Sequence, residues 1–133
     1  MNKREIGAEY EAVAASYLEN QGMVLLHKNF RCRQGEVDLV GLHQGCLVFV
    51  EVKYRKNEAC GTPEEAVGSL KQARICRTSD FFRTRFPQYG NLQVRYDVIA
   101  VCGEKIKWYQ NAFSYIPHDF GKQFSHRNRN TGW

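Results

Sequence analysis

A predicted β-hairpin over residues 35–53 is the feature that most constrains the fold of this chain. Apolar and polar side chains alternate on both sides of Gln44-Gly45, and alternation with a period of two is typical of β-strands. Glycine supplies the positive φ that a two-residue hairpin loop requires. In such a loop His43 pairs with Cys46, and each further pair lies one residue farther out on both strands. The pattern therefore predicts both the turn and the register.

This register places four charged side chains at the open end of the hairpin. Asp38 lies opposite Glu51, and Glu36 lies opposite Lys53. Directly opposed residues have Cβ atoms about 4.5–5.5 Å apart, a separation at which two like charges destabilise a sheet. Two carboxylates with an ammonium beside them indicate a divalent cation site next to a lysine. The alternative is an exposed hairpin end, where a Glu36–Lys53 ion pair would contribute about 0–1 kcal/mol.

The two faces of the predicted hairpin differ in polarity. One face carries the four charges and several large apolar residues. The other face is apolar or glycine throughout and comprises Val37, Leu39, Gly41, Val48, Val50 and Val52. Such a strand pair is expected to be covered on both sides. The charges at its end must then be paired, coordinated or open to a cleft, because an isolated buried carboxylate is very costly.

Length and charge narrow the class of protein. The 133 residues predict one domain with a core of ordinary size, and a hydrophobic content of 43% argues for a folded chain. The net charge of +5 allows a polyanionic partner such as nucleic acid without requiring one. The N-terminus lacks an apolar signal core, and no run approaches the length of a membrane span. We therefore expect no membrane association and a cytoplasmic location.

The five cysteines contain no C-x-x-C pair of the kind that binds zinc. Cys46 and Cys102 fall in apolar strand patterns. This placement favours small core residues over metal ligands or halves of a disulfide. The cysteines therefore agree with a reducing compartment.

A first helix is predicted from Ile6 to about Asn20, because apolar residues recur there at helical spacing and Gly22 ends the pattern. Glu9 lies on or beside the apolar stripe, three residues after Ile6 and four before Val13. An acid at this place is either a glutamate at the edge of the stripe that reaches water or a residue of the functional site.

The rest of the domain alternates between strands and helices. Thr62 and Glu65 form a capping-box pattern that begins a helical region, and this region continues as a basic helix to about Phe86. Further strands are predicted over residues 23–30, 92–102 and 105–110. From residue 117 the chain shows no periodicity. We therefore expect a domain over residues 1–116 and a basic, flexible tail over residues 117–133.

The order helix, strand, strand, strand, helix, strand, with Asp-x12-Glu-x-Lys on the hairpin, resembles the PD-(D/E)XK nuclease superfamily, which includes Holliday junction resolvases. A closer resemblance, over about residues 5–115, is to the YraN-type bacterial proteins. The matching segments are Gly7-Ala8-Glu9, Asn29-Phe30-Arg31, Gly35-Glu36-Val37-Asp38, Phe49-Val50-Glu51-Val52-Lys53 and Arg95-Tyr96-Asp97-Val98. Val37 stands where the superfamily name has proline, and this departure leaves the predicted role of Asp38 intact.

The resemblance implies a restriction-endonuclease-like α/β domain, with a central mixed β-sheet flanked by helices on both faces. It also implies an endonuclease that depends on Mg²⁺ or Mn²⁺ and hydrolyses phosphodiester bonds in DNA, branched or junction DNA included. Resolvases of this fold act as symmetric dimers, so a second copy of the chain is an implied partner. One alternative is a non-catalytic nucleic-acid-binding module that acts with a partner protein. Another is a charge cluster that stabilises the fold.

Each candidate site residue has an expected role. Asp38 and Glu51 would bind Mg²⁺, which prefers oxygen ligands and needs one or two carboxylates. By the resemblance, the carbonyl of Val52 adds a ligand, and Glu9 binds a second ion or orients a water. Lys53 would position the nucleophile or stabilise developing charge.

Five further residues are expected to support these groups. Glu36 would hold the ammonium of Lys53 in place. Contacts with backbone phosphates, which give affinity but no sequence readout, are expected from Arg31, Arg33, Arg55 and Lys71.

Overall fold

The computed structural model describes residues 2–57 and 59–118 of the chain. Its helices are α1 (Lys3–Asn20), α2 (Pro63–Ala66) and α3 (Ser69–Arg85), with a 3-10 turn at Pro87–Tyr89. Its strands are β1 (Val24–Cys32), β2 (Gly35–His43), β3 (Cys46–Arg55), β4 (Gln93–Cys102) and β5 (Lys105–Phe113). None of these helices is long and apolar enough to cross a bilayer. The tail predicted for residues 117–133 lies outside the described residues from residue 119 onward.

The protein is a mixed α/β domain built on one five-stranded sheet, with the strands in chain order. Neighbouring strands are antiparallel except for β3 and β4, which run parallel. A parallel pair needs a crossover connection, and α2 and α3 supply it. The observed succession of elements confirms the order predicted from the sequence.

The β2–β3 hairpin has the predicted turn, and its register is the predicted one from Leu39–Val50 to the turn. The cross-strand pairs run from Leu39–Val50 inward to the turn, each pair one residue closer on both strands. In the turn, Gln44 and Gly45 have φ angles of 51° and 78°. Two successive positive φ angles are typical of a type I′ turn, whose twist matches that of the two strands.

Both faces of the sheet are covered, as the hairpin pattern predicts. The core on the α1 side comprises Ala14, Ala15, Leu18, Met23, Leu39, Val48, Val50 and Ile99. The core on the α3 side includes Phe30, Val40, Leu47, Phe49, Val67, Ile75, Phe82 and Val98. Successive residues of β3 therefore point into opposite cores, and the sheet is the central layer of the domain.

Asp97 is a fully buried carboxylate that joins β4 to β5. It accepts hydrogen bonds from the Arg95 guanidinium at 3.0 and 2.9 Å. It also accepts one from Trp108 Nε1 at 2.8 Å and one from the backbone N–H of Asn111 at 2.9 Å. A buried charge is tolerated when it is both paired and hydrogen-bonded. These contacts give Asp97 a structural role.

A disulfide joins Cys60, in the loop before α2, to Cys102 at the end of β4. The prediction that Cys102 is a core cysteine rather than a half-cystine is therefore wrong. Cys102 is buried among apolar residues, where a half-cystine and a small core residue look alike in sequence, and its partner lies in a polar loop. Cys46 is free, as predicted. The cytoplasmic location stays a prediction, since disulfides are more typical of oxidising compartments.

Reduction of the Cys60–Cys102 bond is expected to lower the free energy of unfolding by about 2–4 kcal/mol, because the bond restricts the unfolded chain. Denaturant unfolding of the wild-type protein and of Cys60→Ser, each with and without reductant, measures the effect. Cys32→Ser, which removes a free cysteine, is the control and should respond to reductant as the wild type does. Equal stability of wild type and Cys60→Ser without reductant would show that the bond does not form in solution.

Candidate functional site

Asp38 and Glu51 come together where the β2–β3 hairpin opens, next to the last cross-strand pair. Asp38 Oδ2 accepts a 2.7 Å hydrogen bond from the backbone N–H of Val52. The Glu51 carboxyl group lies close enough to Asp38 for its charge to raise the pKa of Asp38. Glu51 is only 5% exposed. The structure therefore brings the two predicted carboxylates into contact in a largely buried place.

The path of β2 is irregular at Asp38, opposite a left-handed residue of β1. Asn29 lies opposite Asp38, between two regular β1–β2 pairs. Its φ of 52° is left-handed, a conformation that asparagine adopts more readily than most residues. Alternation along β2 breaks here, because Val37 packs in the α3-side core and Leu39 in the α1-side core. The prediction that Val37 and Leu39 share a face is therefore wrong.

The electrostatic environment favours the neutral form of Asp38. Burial, followed by the negative charge of Glu51, raises the pKa of Asp38 to about 7. The hydrogen bond from Val52 and the charge of Lys71 act in the opposite direction but are outweighed. Without a divalent cation, the Asp38 carboxyl group is therefore partly protonated near neutral pH.

Lys71, near the start of α3, supplies a counter-charge to Glu51. Its Nζ forms an ion pair with Glu51 Oε2, while 49% of the Lys71 side chain stays exposed. Burial opposes the charged form of Lys71, but the hydrogen bond and the charge of Glu51, aided by Asp38, raise its pKa overall. The predicted phosphate-binding lysine therefore contacts a carboxylate in this structure.

Lys53 lies two residues beyond Glu51 on β3 and is half-buried. Because side chains alternate along a strand, Lys53 and Glu51 point to the same face of the sheet. The Glu51–Lys71 ion pair identifies this face as the one that α3 covers. Glu51 and the two lysines therefore belong to the same side of the sheet.

A third carboxylate approaches Asp38 from α1, and it belongs to Glu11. Burial raises the pKa of Glu11, and the charge of Asp38 and a hydrogen bond to it raise the pKa further. A hydrogen bond with the Asn29 side chain has the opposite effect. Glu9, which the sequence predicts for this role, is exposed. The metal-binding role of Glu9 stays a prediction, and Glu11 is a candidate that sequence reasoning missed.

The helical spacing of buried residues on α1 contains the signal for Glu11. Ala14, Ala15 and Leu18 are buried, and Glu11 precedes them by three, four and seven residues, on the same face. The sequence-based stripe passes instead through Val13, which is 40% exposed. Ala14, Ala15 and Leu18, rather than Val13, mark the side of α1 that meets the sheet.

A tyrosine pair fixes the first half of α1 against the end of β3. The rings of Tyr10 and Tyr54 stack with their centroids 3.9 Å apart. Tyr10 directly precedes Glu11, and Tyr54 directly follows Lys53. This contact therefore holds the Glu11 carboxyl group close to the acidic pair.

Glu36 has a different partner from the one predicted. It forms a 2.9 Å ion pair with Arg31, its cross-strand neighbour in β1, instead of holding Lys53. The paired positions of β2 and β3 end at Leu39–Val50, so the ladder no longer aligns Glu36 with Lys53. Both partners are more than half exposed, and such a pair contributes about 0–1 kcal/mol.

The other two basic residues predicted to contact backbone phosphates are Arg33 and Arg55. Arg33 is exposed in the turn between β1 and β2. Arg55 Nη2 donates a 3.2 Å hydrogen bond to the carbonyl oxygen of Glu65 at α2. Arg33 is therefore open to solvent, and Arg55 is linked to the crossover segment.

A groove of about 730 Å³ lies between the β1–β2 turn and the start of α3, next to the Glu51–Lys71 ion pair. Its lining includes Gly35, Glu36, Lys71 and Arg74. Gly35 has a φ of 152°, and a Cβ atom at this position would lie 3.3 Å from Thr78 Oγ1 and 3.6 Å from Arg74 Cβ. The turn therefore comes this close to α3 because residue 35 is glycine.

Asp38 and Glu51 have the oxygen chemistry that could hold a divalent cation. Within residues 2–57 and 59–118, no group of three or more His, Cys, Asp and Glu side chains has the arrangement of a metal site. Mg²⁺ keeps several waters and is commonly held by one or two carboxylates. Asp38 and Glu51 are adjacent, largely buried and mutually repulsive, so a cation between them would remove an unfavourable interaction.

By fold and site, the protein is a mixed α/β domain that carries acids and lysines at the open end of a hairpin. Residues 10–101 match the family described as "Uncharacterised protein family UPF0102". The chain therefore belongs to the UPF0102 family, which corresponds to the YraN-type resemblance seen in its motifs.

Relatives from distant bacteria support this membership. The chain is 44% identical over 115 residues to a UPF0102 protein of Lachnoclostridium phytofermentans, covering 85% of this chain and 96% of the relative. It is 38% identical over 115 residues to one of Vibrio parahaemolyticus, covering 85% and 95%. It is 41% identical over 101 residues to one of Caldicellulosiruptor saccharolyticus, covering 76% and 85%.

Asp38→Asn is expected to stabilise the metal-free protein at pH 8 by about 1–3 kcal/mol, because it removes a charge whose pKa is raised in the folded state. That raised pKa makes the folded protein bind a proton between about pH 4 and pH 7 that the unfolded chain has released. The contribution of Asp38 to stability is therefore fully present below pH 4 and is lost as the pH rises through 7.

Thermal unfolding in the presence of a chelator at pH 4.5 and at pH 8 measures this effect. The gain from Asp38→Asn should be much smaller at pH 4.5. Asp80→Asn, at a partly exposed carboxylate on α3, is the matched control. A gain that is equal at both pH values would contradict a raised pKa at Asp38.

Proposed function

We propose that this protein is a Mg²⁺- or Mn²⁺-dependent nuclease of restriction-endonuclease-like fold that hydrolyses phosphodiester bonds in DNA. The observation that supports it most is the Asp38–Glu51 carboxylate pair, with Lys53 on the same face of β3. Acids and a lysine in this order resemble the motif of PD-(D/E)XK nucleases. Branched or junction DNA is the substrate that the resemblance favours.

In this proposal, each acid and lysine has one task. Asp38, Glu51 and the carbonyl of Val52 hold the divalent cation, which would neutralise phosphate charge and acidify a water. Glu11, in contact with Asp38, or Glu9 orients that water. Lys53 donates a hydrogen bond to the phosphate and stabilises the negative charge that develops during the reaction.

Basic side chains around the site would bind the sugar–phosphate backbone. Arg31 and Arg33 are exposed at the β1–β2 turn, Arg55 ends β3, and Lys71 and Arg74 line the groove. Such contacts release counterions, so the affinity for DNA should fall steeply with salt, by a slope of about −0.9 for each phosphate contacted. They would not by themselves give sequence specificity.

The competing function is a nucleic-acid-binding module of the same fold that does not cleave. One specific observation favours it: Glu51 has a cationic partner within the chain, Lys71. An internal ion pair of this kind stabilises a fold without any metal ion. The two functions differ in whether DNA cleavage follows DNA binding.

Substitution of the proposed catalytic groups is expected to reduce cleavage by about 10²-fold or more, since each stabilises charge in the transition state. The variants are Asp38→Asn, Glu51→Gln and Lys53→Met. Linear, flapped and four-way DNA are incubated with each protein in Mg²⁺ or Mn²⁺, and DNA affinity is measured in parallel. Binding by the wild type without cleavage of any substrate would establish the binding module instead. Cleavage by Lys53→Met at the wild-type rate would exclude the proposed site.

A matched pair of variants distinguishes the two glutamates of α1. Glu11→Gln should reduce cleavage and weaken Mn²⁺ binding, because Glu11 contacts Asp38. Glu9→Gln, two residues away at an exposed position, should leave both close to wild type. Calorimetric titration with Mn²⁺ and a cleavage assay provide the two measurements. The reverse result would assign the role to Glu9.

A further inference from the structure

Lys71 lies between two regions of opposite charge. On one side its Nζ is paired with Glu51, which is 5% exposed. On the other side Lys71 lines the groove that runs along the start of α3. About half of its side chain is exposed, so a change of rotamer can move the ammonium group from one region to the other without moving the helix.

The groove would offer the ammonium group an anionic ligand if a phosphate entered it. Arg74 lies three residues after Lys71 and projects from the same side of α3. Arg74 is exposed and also lines the groove. The basic side chains in the groove therefore outnumber its one acid, Glu36, which is already paired with Arg31.

We propose that Lys71 exchanges one partner for another when a divalent cation binds at the site. Without a divalent cation it is the internal counter-ion of Glu51. When a divalent cation neutralises the acidic pair, Lys71 turns into the groove and binds a phosphate of the nucleic-acid backbone together with Arg74. This inference rests on the proposed metal site. It assigns to the groove a backbone phosphate that neighbours the phosphate being cleaved.

Electrostatics supplies the reason for the exchange. An ammonium group and a divalent cation compete for the same Glu51 carboxylate, and the divalent ion carries twice the charge. Once the ion is bound, Lys71 faces a like charge close by, and the interaction that held it becomes unfavourable. A phosphate in the groove then becomes its best available partner, since charge-assisted hydrogen bonds are the stronger ones.

The exchange predicts that removing the ammonium group strengthens metal binding. Lys71→Met should bind Mn²⁺ about tenfold more tightly than the wild type in the absence of nucleic acid, because the competing hydrogen bond to a charged group is lost. Calorimetric titration with Mn²⁺ at constant ionic strength measures the affinity. Lys71→Arg keeps a cation and should bind Mn²⁺ as the wild type does.

Arg74→Met is the matched control, since it removes one positive charge from the same groove without removing a partner of Glu51. It should leave Mn²⁺ affinity unchanged and weaken binding of duplex DNA, measured by fluorescence anisotropy with Mn²⁺ present. Lys71→Met should weaken DNA binding to a similar degree under these conditions. Unchanged DNA binding by both variants would exclude the groove as a phosphate site.

The outcomes separate failure of this inference from failure of the proposed function. If Lys71→Met binds Mn²⁺ no more tightly than the wild type, or more weakly, Lys71 does not compete with the ion and the exchange is wrong. If neither the wild type nor Lys71→Met binds Mn²⁺, the metal site itself is wrong, and the inference is overturned with it. Tighter Mn²⁺ binding by Arg74→Met as well would show a general charge effect and would also overturn the exchange.

Discussion

The close approach of two carboxylates, Asp38 and Glu51, is the interaction on which the rest of the site depends. Their repulsion and burial make the charged forms costly, and the surrounding groups can be understood as ways to reduce that cost. The backbone N–H of Val52 donates to one carboxylate, and the ammonium of Lys71 neutralises the other. Asp38 lies just beyond the last regular β2–β3 pair, opposite the left-handed Asn29. A fold rarely keeps such an arrangement for stability alone, because removing the charges would be more favourable.

The sheet holds these groups in place with ordinary packing. The type I′ turn sets the register of β2 against β3, and α1 and α3 cover opposite faces with separate cores. Each layer contributes to the site: Glu11 from α1, the acidic pair and Lys53 from the sheet, and Lys71 from α3. Changes in the packing of either helix are therefore expected to alter the geometry of the acids and the lysines relative to each other.

Most of the fold, and part of the site, could be predicted from the sequence. The hairpin register between Leu39–Val50 and the turn followed from Gln44-Gly45 and alternation, which are local signals. The identity of the helical acid did not, because the predicted stripe included Val13, whereas the buried face of α1 runs through Ala14, Ala15 and Leu18. The face of Val37 and the Glu36–Arg31 pair were missed because alternation along β2 breaks between Val37 and Leu39, and a local break of this kind leaves no periodic signal. The Cys60–Cys102 bond joins positions 42 residues apart, beyond the reach of any local pattern.

The Cys60–Cys102 disulfide separates the residues of the site into two sets, one inside the ring that it closes and one before that ring. The bond closes a ring from Cys60 to Cys102 that contains α2, α3 and β4. Lys71 and Arg74 belong to the ring, whereas Glu11, Asp38, Glu51 and Lys53 all precede it. The acids are therefore assembled by a short, contiguous N-terminal segment, and the groove cations are carried on a separately cross-linked loop. Opening the ring would give the cationic half of the site more freedom while leaving the connectivity of the acidic half unchanged.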